Sequence, residues 1–89
     1  MKSRTTRRFR ASFRKLPKRV QSQARDAYRL FSNNPHHPSL RFKRVHPTEP
    51  IYSVRITRAH RALGVLVADE IVWFWIGDHD AYERLIAQL

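Results

Sequence analysis

Residues 51 to 85, which read IYSVRITRAHRALGVLVADEIVWFWIGDHDAYERL, decide the fold of this chain. Short runs of β-branched and aromatic residues occur there with a period close to two, which predicts strands near residues 51–57, 61–68 and 71–77. The segment ADE between the last two runs is short enough to force an antiparallel hairpin. This half of the chain therefore predicts a meander of antiparallel strands.

The last of these runs, IVWFWI, is apolar on both of its alternating faces, which is typical of a strand covered on both sides. Strict alternation puts Trp73 and Trp75 on one face and Val72, Phe74 and Ile76 on the other. For the tryptophans we expect core packing against the final helix or cover by a bound protein. Stacking on a nucleotide is the alternative.

A short helix is predicted at the C-terminal end of the chain. Asp78, directly after Gly77, is a suitable N-cap. The residues that follow place their apolar side chains on one helical face, formed by Tyr82, Leu85, Ile86 and Leu89.

Two further helices are predicted near the N-terminus, as a hairpin with basic outer faces. TTRRFRASFRKLP begins with hydroxyl residues able to cap a helix, and Phe9, Phe13 and Leu16 then form one apolar stripe. A second helix has Pro17 in its first turn and runs to the SNNP segment. Its apolar stripe comprises Val20, Ala24, Ala27 and Phe31.

Together these elements predict an α+β fold in which residues 1–89 form a single domain. The N-terminal helical hairpin packs on one face of a four-stranded antiparallel sheet, whose first strand lies near residues 41–46, and the short C-terminal helix follows. Residues 2–5 are a candidate fifth strand at a sheet edge. The other face of the sheet is left to be explained.

The charge of the chain points to a polyanionic partner. The formal net charge is +11, and nine of the 18 Lys and Arg residues lie within residues 1–19, where there is no acid. There is no cysteine, so disulfides, thiolate metal sites and cysteine nucleophiles are excluded. Neither a signal peptide nor an apolar run long enough to span a membrane is present, and we expect a cytoplasmic protein.

Three motifs in residues 51–85 stand out together. Tyr52, Val54 and Arg55 form an aromatic-x-[VI]-[RK] strand, and His60 and Arg61 open the next strand. The third motif is a hydrophobic strand that ends before a His/Asp-rich turn and an aromatic residue, in Gly77, Asp78, His79, Asp80 and Tyr82. In these motifs and in its order of elements the chain resembles the RelE/ParE superfamily of bacterial toxins from toxin–antitoxin systems.

The resemblance implies a RelE-like fold and two candidate activities. The RelE/YafQ-like branch, which we favour, cleaves mRNA on the ribosome by activating a ribose 2′-hydroxyl against the neighbouring phosphate and so inhibits translation. That chemistry needs a proton acceptor, cations for the phosphorane and an acid for the departing 5′-oxygen. The ParE-like branch instead inhibits DNA gyrase. A non-catalytic nucleic-acid-binding module with the same fold is the third hypothesis.

For the nuclease, the resemblance assigns phosphate stabilisation to Arg61, with Arg55 as a second phosphate clamp. A guanidinium is permanently charged and grips phosphate bidentately, whereas a surface arginine of a basic protein is the structural alternative. Ser53 stands where the type member of the family carries a catalytic lysine. The mechanism therefore relies on a histidine.

His79 is the candidate acid or base, because an unperturbed imidazole exchanges a proton near neutral pH. Asp78 or Asp80 could orient it, and a solvated capping segment is the structural alternative. Tyr82 matches an aromatic residue that in the family stacks on a base or contacts the scissile phosphate, although it could equally belong to the core. His60 replaces the more usual tyrosine and is either a base or an adapted strand residue.

Further RNA-binding residues are expected along the basic surfaces of the chain: Lys43, Arg44, Arg58, His60, Arg8, Arg14 and Lys18. The remaining histidines lack ligand-like spacing with carboxylates, so we expect no metal and no cofactor. The expected partners are ribosome-bound mRNA and an acidic antitoxin that covers the exposed sheet face. We expect a monomer when free and a heterotetramer in complex.

Overall fold

The element order is that of a mixed α+β fold. A computed structural model describes all residues from Met1 to Leu89. It contains strand β1 (Lys2–Thr5), helices α1 (Arg7–Arg14) and α2 (Lys18–Asn33), a 3-10 turn (Pro38–Leu40), strands β2 (Lys43–Arg44), β3 (Ile51–Thr57), β4 (His60–Val67) and β5 (Glu70–Asp78), and helix α3 (His79–Ile86). No helix is both long and apolar enough to cross a membrane.

The N-terminal helices follow the predicted caps and stripes. The Thr6 hydroxyl accepts a hydrogen bond from the Phe9 N–H at 3.1 Å and so caps α1. Phe9 and Phe13 pack against the core from α1, while Ala24 and Phe31 are buried beneath α2. Both helices therefore lie on one face of the sheet, as predicted.

The sheet has the order β1-β5-β4-β3-β2 and is mixed rather than wholly antiparallel. The candidate strand at residues 2–5 exists, but it pairs in parallel with β5. No tight turn joins β1 to β5, so a hairpin does not impose an antiparallel direction on them. Side chains from both helices donate hydrogen bonds to backbone carbonyls of this edge strand. The Tyr28 hydroxyl donates to the Ser3 carbonyl at 2.9 Å, and Arg10 Nη1 donates to the Thr5 carbonyl at 2.7 Å. These bonds protect the edge from pairing with another chain.

The strand predicted near residues 41–46 is present but shorter, because β2 contains only Lys43 and Arg44. Arg41 ends the 3-10 turn in the left-handed region, with φ 46° and ψ 43°, which is incompatible with extended backbone. Beyond β2, Arg44 donates to the Thr48 and Glu49 carbonyls at 2.9 and 3.2 Å and closes a turn. Local turn geometry thus limits this edge strand at both ends.

The prediction that Trp73 and Trp75 share a face is wrong. Trp73 is opposite Gly64 and Trp75 is opposite Leu63, so Phe74 has no partner and forms a β-bulge. The extra residue shifts the alternation and sends the tryptophans to opposite faces. Trp73 meets Phe31 edge-on at 5.2 Å between ring centroids on the helix side. Trp75 lies 6.5 Å from the Tyr82 ring of α3, as expected for packing against the final helix.

The core depends on a close approach at Gly64 in the middle of β4. A Cβ atom at this position would lie 2.6 Å from Ile71 Cγ2 and 2.7 Å from Trp73 Cε3. Ile71 and Trp73 are both buried, so neither side chain can move aside into solvent. Only glycine lets the Trp73 ring lie across β4.

We expect Gly64→Ala to lower the free energy of unfolding by about 1–3 kcal/mol, because the added methyl group overpacks this contact. Chemical denaturation measures the change. Val67→Ala, at the exposed end of the same strand, is the control and should stay within about 0.5 kcal/mol of the parent chain. An equal effect of both substitutions would contradict the packing argument.

Candidate active site

A pocket of about 220 Å³ opens on the sheet face opposite α1 and α2, beside the start of α3. Four of its lining residues are cations, and only one is a carboxylate. We call it the cationic pocket; it is lined by Arg41, Lys43, Ser53, Arg55, Arg61, His79, Tyr82 and Glu83. Five of the residues proposed from the sequence are therefore brought together: Lys43, Arg55, Arg61, His79 and Tyr82.

Two arginines of the cationic pocket lie directly opposite each other. The antiparallel register of β3 and β4 pairs Arg55 with Arg61. Residues paired in this way project from the same face with their Cβ atoms about 4.5–5.5 Å apart, and like charges so placed destabilise a sheet. The Arg and Lys ion pairs lie elsewhere, at Arg4 with Glu70 and at Arg29 with Asp26. The arginine pair is therefore suited to an external anion.

Arg61 is anchored through one of its nitrogens. Its Nη1 donates to the carbonyls of Thr57 at 2.7 Å, His60 at 3.0 Å and Arg58 at 3.3 Å, around the β3–β4 turn. These bonds fix the guanidinium and leave its Nε and Nη2 donors for a ligand. Partial burial lowers the pKa of Arg61, and the charges of Arg55 and Arg41 lower it further, against opposite effects of Tyr82 and Glu83.

His79 enters the cationic pocket from the first turn of α3. The backbone N–H of His79 donates to the Ala59 carbonyl at 2.7 Å, which ties the helix to the β3–β4 turn near Arg61. Its Nε2 lies 3.3 Å from Glu83 Oε1, and its side chain keeps 42% of its surface exposed. The imidazole is thus held in place while remaining open to a substrate.

The carboxylate that faces His79 is Glu83, and the sequence interpretation missed it. Asp78 was a candidate to orient the histidine, but its carboxylate instead caps α3 by accepting the Ala81 N–H at 2.8 Å. The i,i+4 spacing of His79 and Glu83 on a predicted helix is the signal that would have found the pair.

Tyr82 and Ser53 form the floor of the cationic pocket. Tyr82 is only 4% exposed, and its hydroxyl donates to Ser53 Oγ at 3.2 Å across 29 residues of chain. The ring packs near Trp75, so little of its surface faces the opening. This bond gives Ser53, where the family resemblance leads one to expect lysine, a structural role.

The other proposed RNA-binding residues lie outside the cationic pocket. Arg58 is exposed on the β3–β4 turn, and His60 Nδ1 lies 3.1 Å from the Thr57 hydroxyl oxygen beside it. Arg44 closes its own turn. The helical residues Arg8, Arg14 and Lys18 lie on α1 and α2, beyond the opposite face of the sheet. Arg41 lines the pocket but was not proposed from the sequence. No group of three side chains suited to a metal comes together.

An apolar groove of about 350 Å³ lies on the other face, between α1, α2 and the sheet. We call it the helix-side groove. Phe9 and Phe13 of α1, Ala27 of α2 and Ile56 of β3 contribute to its walls. Arginines are its only charged lining residues: Arg10, Arg14 and Arg25.

Solved structures with this fold include proteins described as toxins, from bacteria and from an archaeon. The RelB-RelE antitoxin-toxin complex from Methanococcus jannaschii is matched at a TM-score of 0.73 and 11% identity, over 91% of this chain and 95% of that one. YafQ from E. coli strain BL21(DE3) is matched at 0.72 and 12%, over 90% and 94%. The YoeB/ParE toxin from Agrobacterium tumefaciens is matched at 0.70 and 16%, over 89% and 99%.

These likenesses confirm the RelE-like fold. A comparison with curated proteins finds no match. The model of the ParE-like toxin domain matches residues 18–84, which include β2 to β5 and every residue of the cationic pocket. The chain therefore belongs to the ParE-like toxin family.

Proposed function

We propose that this chain is the toxin of a toxin–antitoxin pair and that it cleaves ribosome-bound mRNA without a metal. The observation that supports this most is that Arg55 and Arg61 pair directly across β3 and β4 and line one pocket with His79. Cations that repel one another are suited to a phosphorane, whose negative charge grows during the reaction. Lys43 adds a further positive charge to the same pocket.

The proposed reaction uses the RNA's own nucleophile. The ribose 2′-oxygen attacks the adjacent phosphorus, its proton passes to a base, and the bond from phosphorus to the 5′-oxygen breaks. The products are a 2′,3′-cyclic phosphate and a 5′-hydroxyl that gains a proton. Arg55 and Arg61 contact the non-bridging phosphate oxygens, and the anchoring of Arg61 on the β3–β4 turn reduces the reorganisation needed.

Proton transfer is assigned to His79. Arginine and lysine hold their protons at neutral pH, and the Tyr82 hydroxyl already donates to Ser53. His79 and Glu83 are thus the groups of the cationic pocket able to accept a proton, and the histidine is also able to donate one to the departing oxygen. Glu83, 3.3 Å from His79 Nε2, is placed to orient the imidazole for this transfer. Because the attacking and departing oxygens lie on opposite sides of the phosphorus, His79 serves one of them and water exchanges the proton at the other.

We expect Arg61→Ala and His79→Ala each to reduce mRNA cleavage by about 10²-fold or more, since each removes transition-state stabilisation or proton transfer. Primer extension on mRNA after induction measures cleavage, and growth arrest reports toxicity. Arg29→Ala on α2 removes the same charge far from the pocket and is the matched control.

Because Arg61 also anchors a turn, circular dichroism and thermal unfolding must show that its variant is folded. His79→Ala leaves that anchor intact and provides an independent test. Undiminished cleavage by both folded variants would contradict the assignment of the site.

Gyrase inhibition is the second candidate function, and the match to the ParE-like toxin model favours it. The absence of a lysine at position 53 is compatible with it as well. The two functions differ in what stops after induction: a nuclease halts translation, whereas a gyrase inhibitor elicits DNA damage signalling. A gyrase inhibitor would also remain toxic with His79→Ala.

The antitoxin is proposed to bind in the helix-side groove rather than on the exposed sheet face. The groove combines an apolar floor with arginines and has no acidic lining residue. An acidic amphipathic helix or strand complements this surface in both charge and polarity. The cationic pocket, on the opposite face, would then remain open while the antitoxin is bound.

We expect Ala27→Glu to weaken binding of the antitoxin by about 10-fold or more, because it places a carboxylate in the helix-side groove where the partner brings its own. Co-purification and calorimetry with the product of the neighbouring reading frame measure this. Ser22→Glu introduces the same charge on an exposed position of α2 outside the groove and is the control. Loss of binding with Val65→Glu on the exposed sheet face, but not with Ala27→Glu, would contradict this proposal and indicate that the antitoxin binds the exposed sheet face.

A further inference from the structure

Arg41 has a backbone conformation that arginine rarely adopts. Its φ of 46° and ψ of 43° lie in the left-handed region, where the Cβ atom crowds the backbone of any residue other than glycine. Ala68, in the β4–β5 turn, is the only other non-glycine residue with a positive φ. A helical C-cap of this kind usually carries glycine or asparagine. Strain of this kind persists in folded proteins mainly where the surrounding structure or a function requires it.

The left-handed turn directs two neighbouring side chains to opposite sides of the sheet. Leu40, the last residue of the 3-10 turn, is only 1% exposed and belongs to the core beneath the helices. Arg41, the next residue, lines the cationic pocket on the other face. Its N–H bonds to the Pro38 carbonyl at 3.3 Å and closes the turn. The conformation therefore brings an arginine to the pocket from outside the β3–β4 pair.

No ion pair stabilises Arg41 in this position, and Glu83, the one carboxylate of the cationic pocket, lies against His79 instead. Arg41 approaches Arg61, whose positive charge opposes its own. A strained backbone and an unfavourable charge contact thus occur at the same residue. An anionic ligand in the cationic pocket would turn the second of these into a favourable contact.

We propose that Arg41 binds the RNA backbone phosphate next to the one held by Arg55 and Arg61, and that its left-handed conformation places the side chain there. The inference rests on the proposed function of the cationic pocket. It adds a third guanidinium, which reaches the RNA from the turn before β2 and so extends the contact beyond the scissile phosphate.

Two variants separate strain from charge. Arg41→Ala removes the guanidinium and keeps the strained backbone, whereas Arg41→Gly removes both. We expect Arg41→Gly to melt about 4–8 °C above Arg41→Ala, since glycine adopts this conformation without a steric penalty. Ala68→Gly should give a similar rise and is the control for strain alone.

Binding is measured by fluorescence anisotropy with a labelled trinucleotide whose riboses are 2′-O-methylated, so that cleavage is blocked. Both Arg41 variants should bind it about 10-fold more weakly, with the slope of log affinity against log salt reduced by about 0.7 for the lost phosphate contact. Ala68→Gly and Arg29→Ala should keep the affinity and the slope of the parent chain.

Equal affinity and slope in Arg41→Ala and Arg29→Ala would overturn the phosphate contact. If Arg41→Gly melts at or below the melting temperature of Arg41→Ala, the claim that the backbone of Arg41 is strained is wrong. Neither readout requires catalysis. If the parent chain cleaves no RNA while the Arg41 variants lose affinity, the nuclease proposal fails and the phosphate role of Arg41 stands.

Discussion

The antiparallel register of β3 and β4 is the constraint on which both the core and the cationic pocket depend. It pairs Val54 with Ala62 beneath the helices and, one residue further, Arg55 with Arg61 on the opposite face. Because side chains alternate along a strand, a slip of one residue would exchange the two faces. Burial of the apolar pair therefore fixes the two arginines opposite each other. The energy that holds the repelling charges together comes from the core beneath them.

Other elements add the remaining residues of the cationic pocket and shape the opposite face of the sheet. Helix α3 brings His79 and Glu83 to the cationic pocket and places Tyr82 on its floor, where the tyrosine bonds to Ser53 of β3. From the other side, the turn before β2 brings Arg41. Meanwhile α1 and α2 cover only part of the opposite face and leave the helix-side groove. The two surfaces lie on opposite faces of one sheet, so a ligand and a partner can bind without competing for the same residues.

Local sequence signals predicted most of the fold, and together with the family resemblance they named five of the eight residues that line the cationic pocket. The short ADE turn gave the β4–β5 hairpin, hydroxyl and carboxylate caps gave the starts of α1 and α3, and the strand motifs gave Arg55 and Arg61. What failed depends on geometry that residue patterns do not encode. The bulge at Phe74 breaks the strict alternation that predicts both tryptophans on one face. A positive φ is normally predicted from a glycine, and position 41 carries an arginine.

Thermal unfolding with and without inorganic phosphate, at constant ionic strength, tests most directly whether the pocket holds its cations together for a phosphate. The chain and its Arg55→Gln variant are compared. Without phosphate the variant should melt about 1–8 °C higher, since the like-charged pair is gone. With phosphate the parent chain should gain more, because only a ligand that binds the folded state raises its stability. A variant that melts at or below the parent chain, with equal gains from phosphate in both, would contradict this account.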